Sequence, residues 1–251
     1  MMEAFRSCCR RILAKTKKGL PWVIAAVLVV VILGIGVKVG VEQRAKFIYK
    51  DHLNDTAVTV DGEALTFRDL AFYVVYEENL VQKSALVYNQ EAPADYWNSH
   101  VNGKFITLEA RNSVMKMAVH DRILLRKAQS KGVVLTSDEK SRLETRRTDF
   151  YEDLYDDQKE RLPVSYSVLN DTMEDIAVVE KYQRMLASER NDTYASFDYD
   201  GKNYRALKKK HDVEINTKLW NRVSIGRVTL NNAPDYQAAK GRQNYHIEGK
   251  K

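Results

Sequence analysis

The chain has 251 residues and is 44% hydrophobic and 29% charged, with 4 Pro, 11 Gly and 2 Cys, which excludes a disulfide-stapled miniprotein and a wholly disordered polymer. Its net charge of +6 is uneven: Met1–Gly19 hold six Lys/Arg against one Glu, so +5 lies there and +1 is left for the other 232 residues. The basic balance describes the leader and gives no ground for a nucleic-acid partner.

After this leader, Leu20–Val41 opens with eighteen uncharged residues, LPWVIAAVLVVVILGIGV. As a helix it would be about 33 Å long, enough for one bilayer crossing, with Lys38 snorkelling at the far interface. The basic residues before it predict a cytoplasmic N-terminus and an extracytoplasmic remainder in the cell membrane. An uncleaved single-pass signal-anchor is the reading favoured over a cleavable signal peptide, because the apolar run is long and lacks a small-x-small cleavage site. Cys8 and Cys9 precede the run and, being adjacent, cannot close a strain-free disulfide; they are inert thiols or lipid acceptors. The expected organisation is a leader (1–19), a transmembrane helix (20–41), a stalk (42–56), a helical domain (57–231) and a mobile polar tail (232–251).

Within the domain, Ala57–Val60 alternates into the turn pair Asp61-Gly62, followed by Glu63–Thr66, which predicts a hairpin or a strand and turn leading into a helix. Thr66 and Asp69 can cap that helix, expected over 67–88 with Leu70, Val74, Val81, Ala85 and Tyr88 inward. The segment 91–103 crosses to a second helix over 106–130, whose apolar side is interrupted by Arg122 and Arg126. Gly132 ends it, and Thr136 and Glu139 have capping-box spacing for a third helix reaching about Glu160. A fourth is expected over 172–187 after Pro163. Asp212–Asn216 and Arg222–Ile225 alternate like strands and can meet the early hairpin, giving a mainly α fold with a small β element formed by early and late segments.

Chemistry is sparse. The five histidines occur singly, with no metal-ligand spacing; His120 adjoins Asp121 but reads as a surface or core-edge residue. No phosphate-binding loop and no nucleophile-base pair is legible, so neither catalytic nor metal residues nor cofactors are assigned. Fourteen tyrosines favour recognition instead. Tyr73, Tyr76, Tyr96, Trp97, Tyr151, Tyr155 and Trp220 can line a polypeptide groove or fill the core, with Arg122 and Arg126 as peripheral contacts.

The segments TVDGEALTFRDL (59–70) and KGVVLTSDEKSRLE (131–144) resemble the N-terminal chaperone region of the SurA/PrsA-type peptidyl-prolyl isomerase family. In that family a strand enters a helix after V-N-G-E-x-I-T; here Asp61 stands for the Asn, and Lys140 replaces an acid in the second pattern. The resemblance covers about 57–231 and implies a SurA/PrsA-N-like helical domain that binds unfolded or secreted polypeptides. No segment matches the parvulin catalytic module, so the implied role is a membrane-anchored, non-catalytic, chaperone-like protein. The alternative is a structural or regulatory subunit of a membrane or cell-envelope complex with one dedicated partner.

Overall fold

A computed structural model describes residues 47–101 and 103–232. A 3-10 turn at Tyr49–His52 leads into β1 (Thr56–Val60) and β2 (Glu63–Thr66). Helix α1 (Ala71–Tyr88) follows, then α2 (Ala94–Trp97), the short strands β3 (His100–Val101) and β4 (Lys104–Phe105), and α3 (Ile106–Ser130). The remainder comprises α4 (Ser137–Glu152), α5 (Asp156–Arg161), α6 (Tyr166–Glu189), a 3-10 turn at Tyr194–Phe197, α7 (Lys202–Lys208), β5 (Val213–Ile215) and α8 (Thr217–Trp220).

Asp61 and Gly62 carry φ of 50° and 82°, the paired positive angles of a two-residue hairpin turn, and set β1 antiparallel to β2 with Val58 opposite Leu65 and Val60 opposite Glu63. On its other edge β1 pairs antiparallel with β5, Val58 opposite Ile215 and Val60 opposite Val213, so early and late segments share a three-stranded sheet. Arg222–Ile225, expected as a further strand, is instead part of a segment of turns. Thr66 donates both its amide and its hydroxyl to Asp69 Oδ2, at 2.7 and 2.8 Å, and α1 begins only at Ala71, after a turn.

Helix α1 is buried on more than one side. Phe72, Tyr73, Val74 and Val75 pack inward, and so do the polar Glu78, Asn79 and Gln82, while Tyr88, expected inward, is 64% exposed. The polar positions face the segment 223–232, which lies over α1. Glu78 accepts from the amides of Gly226, Val228 and Thr229 at 2.5, 3.0 and 2.7 Å, and from the Thr229 hydroxyl. Gln158 on α5 bridges Thr229 Oγ1, the Val75 carbonyl and Asn79. Gln82 accepts from Trp97 Nε1 and from Asn232 Nδ2. Buried backbone donors need partners, and α1 supplies them.

Thr136 and Glu139 form the capping box that starts α4: the Thr136 amide donates to Glu139 Oε2 at 2.8 Å and the Glu139 amide donates to Thr136 Oγ1 at 3.3 Å. The third helix does not run to Glu160; Leu154 is buried between α4 and the separate α5. Helix α6 begins at Tyr166, earlier than the expected 172. Leu124, Leu125 and Ala128 of α3 pack with Val179, Tyr182 and Leu186 of α6 and with Phe197 in a hydrophobic core cluster.

The expected membrane architecture is corrected. Among the described residues no helix is long and apolar enough to cross a membrane. The longest, α3, carries Glu109, Arg111, Lys116, Asp121, Arg122, Arg126 and Lys127, charges that a bilayer core would exclude. The span expected at Leu20–Val41 lies outside the described residues, as do the leader and residues 233–251 of the tail. A signal-anchor, a single-pass topology and an extracytoplasmic location are accordingly not retained. Within the segment read as a stalk, Tyr49 is a core residue, its hydroxyl donating to the Phe67 carbonyl at 2.6 Å.

Candidate functional site

A cleft of about 240 Å3 opens between α1, α3 and α6. Helical spacing builds each wall: Phe72, Tyr73 and Tyr76 from α1, Met117, His120 and Asp121 from α3, and Met173, Ile176, Val179, Glu180 and Gln183 from α6. Arg146 of α4 and the residues Tyr194, Asp198 and Tyr199 complete the rim. The lining includes two methionines, whose unbranched thioether chains adapt to different shapes. Tyr76, 42% exposed, stacks on Phe72 with ring centroids 6.0 Å apart.

At the base, His120 is 3% exposed and lies between two acceptors: Nδ1 is 2.6 Å from Asp121 Oδ1 and Nε2 is 2.9 Å from the Phe197 carbonyl. Only a ring carrying both protons satisfies both neighbours. Burial works against that charge, but the Asp121 carboxylate and the Phe197 carbonyl outweigh it and raise the imidazole above its ordinary 6.5. Asp121 also accepts from the Tyr73 hydroxyl at 2.9 Å, and burial followed by the Asp121 charge keeps that phenol protonated far above the usual range. With Gln183 Nε2 donating to the Tyr194 carbonyl at 3.1 Å, His120 pins the 3-10 turn that carries Tyr194 and leads into Asp198 and Tyr199. The imidazole therefore holds the cleft's shape and has no nitrogen left over as a base.

This geometry sets a pH dependence. A raised His value stabilises the fold fully below about pH 6.5, and the contribution is lost as pH rises through the folded value. Glu77, pushed up to about 7 by burial despite a bond to Ser113, favours the fold in its neutral form, and that contribution is lost between 4.5 and about 7. The unfolding free energy in urea should thus fall in both intervals. In His120→Gln the fall above about pH 6.5 should shrink while the fall between 4.5 and 6.5, carried by Glu77, persists; a pH dependence unchanged by the substitution would contradict the assignment.

The expected contact residues divide. Tyr73 and Tyr76 line the cleft. Trp97 is 1% exposed, with its indole bonded to Gln82 at 2.8 Å, and Trp220 is 4% exposed against Phe67. Tyr96 packs near Tyr88, ring centroids 5.5 Å apart. Arg122 reaches Glu63 at 2.8 Å and Arg126 reaches Asp61 at 3.1 Å, tying α3 to the hairpin. The Tyr151 hydroxyl bonds Asn170 at 2.9 Å, joining α4 to α6, and half-buried Tyr155 immediately precedes α5. Phe72, Met117, Met173, Tyr194 and Tyr199 were not legible as one site because they come from four separate segments. The spacing Met117–His120 was the available hint. His120 is a buried residue rather than one at the surface or core edge, and its ring reaches the carboxylate of the very next residue.

Among the described residues no group of three or more His, Cys, Asp or Glu is placed to hold a metal ion. The chain matches no family model, no curated protein and no solved structure. The expected membrane-anchored chaperone role, and its alternative as a subunit of a membrane or cell-envelope complex, are not retained: no such relative is found, and no membrane-crossing helix is present among the described residues.

Proposed function

We propose that this domain is a non-catalytic recognition module whose cleft takes one large apolar side chain, followed by a basic residue, from a defined partner polypeptide. The observation that carries the reading is the lining itself. A lining of aromatic, methionine and aliphatic side chains edged by polar groups, about 240 Å3 in volume, falls short of the roughly 300–1,000 Å3 of drug-sized ligand sites and suits a single side chain. Charge selects the neighbour of that side chain. Arg146 is tied to Glu180 by two bonds of 2.7 and 2.9 Å, and His120 to Asp121. The Asp198 carboxylate makes no ion pair among the described residues; it accepts from the Tyr199 amide and adds to the field on His120, and it stands exposed at the rim. Binding rather than catalysis is supported by the two engaged nitrogens of His120.

The test is a fluorescence-anisotropy titration with a labelled hexapeptide carrying Phe-Lys at its centre, against otherwise identical peptides carrying Ala-Lys or Phe-Glu. Saturable binding of the Phe-Lys peptide alone is expected. Tyr76→Ala should weaken it about tenfold or more, the loss expected of an aromatic contact at a binding hot spot. Asp198→Asn should narrow the preference for Lys over Glu. Equal affinity for all three peptides, or no change in Tyr76→Ala, would overturn the proposal.

A further inference from the structure

A second cavity, about 190 Å3, lies where the C-terminal ends of α3, α6 and α7 converge. Its apolar lining includes Tyr182, Phe197 and Leu207, and its cations are Lys127, Arg190 and Lys210. No carboxylate lines it, and none of the three cations makes an ion pair among the described residues. Arg190 lies 5.8 Å from the centre of the Phe197 ring, a cation-π placement that keeps its guanidinium over the apolar lining. Lys131, close by, is already engaged with Glu189 at 3.6 Å and with the Tyr182 ring at 5.4 Å, and is not counted.

Cations at helix C-termini ordinarily balance the helix dipoles, and that explanation has to be weighed first. Each end is equivalent to about −0.5 elementary charge, so even three ends supply about −1.5 against three full positive charges. Asp192, two residues beyond Arg190, is held by the Thr193 amide, Ser196 Oγ and Asn203 Nδ2, and Lys202 offsets its charge. The cavity therefore keeps a positive excess over an apolar base. In size it exceeds the roughly 150 Å3 cavity that accepts benzene, leaving room for one ring with its head group at the mouth.

We infer that this cavity binds a small amphiphilic phosphomonoester, its ring or short alkyl group against Tyr182, Phe197 and Leu207 and its dianion among Lys127, Arg190 and Lys210. Three cations on one lining suit a doubly charged head better than a carboxylate. The site is separate from the aromatic cleft, and its test does not depend on that reading.

The experiment is calorimetric titration of the full chain with phenyl phosphate, inorganic phosphate, benzoate and benzyl alcohol. Phenyl phosphate should bind at least tenfold tighter than each of the other three, and its affinity should fall as salt is raised. Arg190→Glu and Lys210→Glu, both at exposed positions, should each lower that affinity tenfold or more, while Arg190→Lys retains most of it. Phenyl phosphate binding no tighter than inorganic phosphate, or binding unchanged by both charge reversals, would overturn the inference.

Discussion

Glu78→Ala should lower the free energy of unfolding by about 3–5 kcal/mol, the range found when one partner of a buried charged contact is removed. Glu78 is fully buried and accepts three backbone amides and one hydroxyl from residues 148 to 151 positions away. Without the carboxylate, Gly226 and Thr229 keep buried N–H groups with no acceptor, each costing about 1–3 kcal/mol, and the vacated volume adds to the loss. Burial raises this carboxyl above its ordinary value, and the bonds from Thr229 and from the amides of Val228, Thr229 and Gly226 to its charged form pull it only partly back. Glu78→Gln keeps acceptor oxygen but turns an NH2 group toward donors, so an intermediate loss is expected. Urea unfolding gives the magnitude. Hydrogen exchange gives the place: the Gly226 and Thr229 amides should lose protection in Glu78→Ala before those of α3.

Gly226→Ala is the second large effect, about 2–5 kcal/mol, for a different physical reason. Gly226 has φ of +95°, a region in which a side chain is strained, and a Cβ there would lie 2.7 Å from Trp97 Cε3 and 2.9 Å from Cζ3. Trp97 cannot step aside, because it is 1% exposed and its indole nitrogen is bonded to Gln82. The overlap must be relieved by moving the segment 223–232 away from α1, which also lengthens the bonds to Glu78. The two substitutions should therefore be non-additive: in the double variant, once the segment has detached, the second change costs less than it does alone. Full additivity in urea unfolding would mean that Glu78 and Gly226 do not hold one cooperative segment.

These two residues also mark where sequence reading stops. The Asp61-Gly62 hairpin, the Thr136 and Glu139 capping box and the bounds of α3 follow from neighbours a few positions apart, and local chemistry suffices to read them. Glu78, Asn79 and Gln82 look like the solvent side of a helix, because the partners that make burial favourable lie far along the chain. The same reason misplaces Tyr88, which had helical spacing but no element against it. Trp97 and Tyr76 are both large and amphipathic, and spacing cannot tell them apart. Gly226 closes over one, whereas the other is left at the mouth of a cleft. That cleft depends on α1, α3, α6 and the turn near Tyr194 meeting in space, and His120 becomes recognisable only once the Phe197 carbonyl is seen beside it.

The recognition reading is tested most directly by 13C-methyl spectra of the methionines during titration with the Phe-Lys peptide. Met117 and Met173 line the cleft, whereas Met115 is buried in the core and Met185 is 36% exposed; neither lines the cleft, so both serve as internal controls. Saturable shifts of Met117 and Met173, absent with the Phe-Glu peptide and unaccompanied by shifts of Met115 or Met185, are the predicted result. Unmoved Met117 and Met173 methyls at saturating peptide, or equal shifts at all four positions, would contradict it.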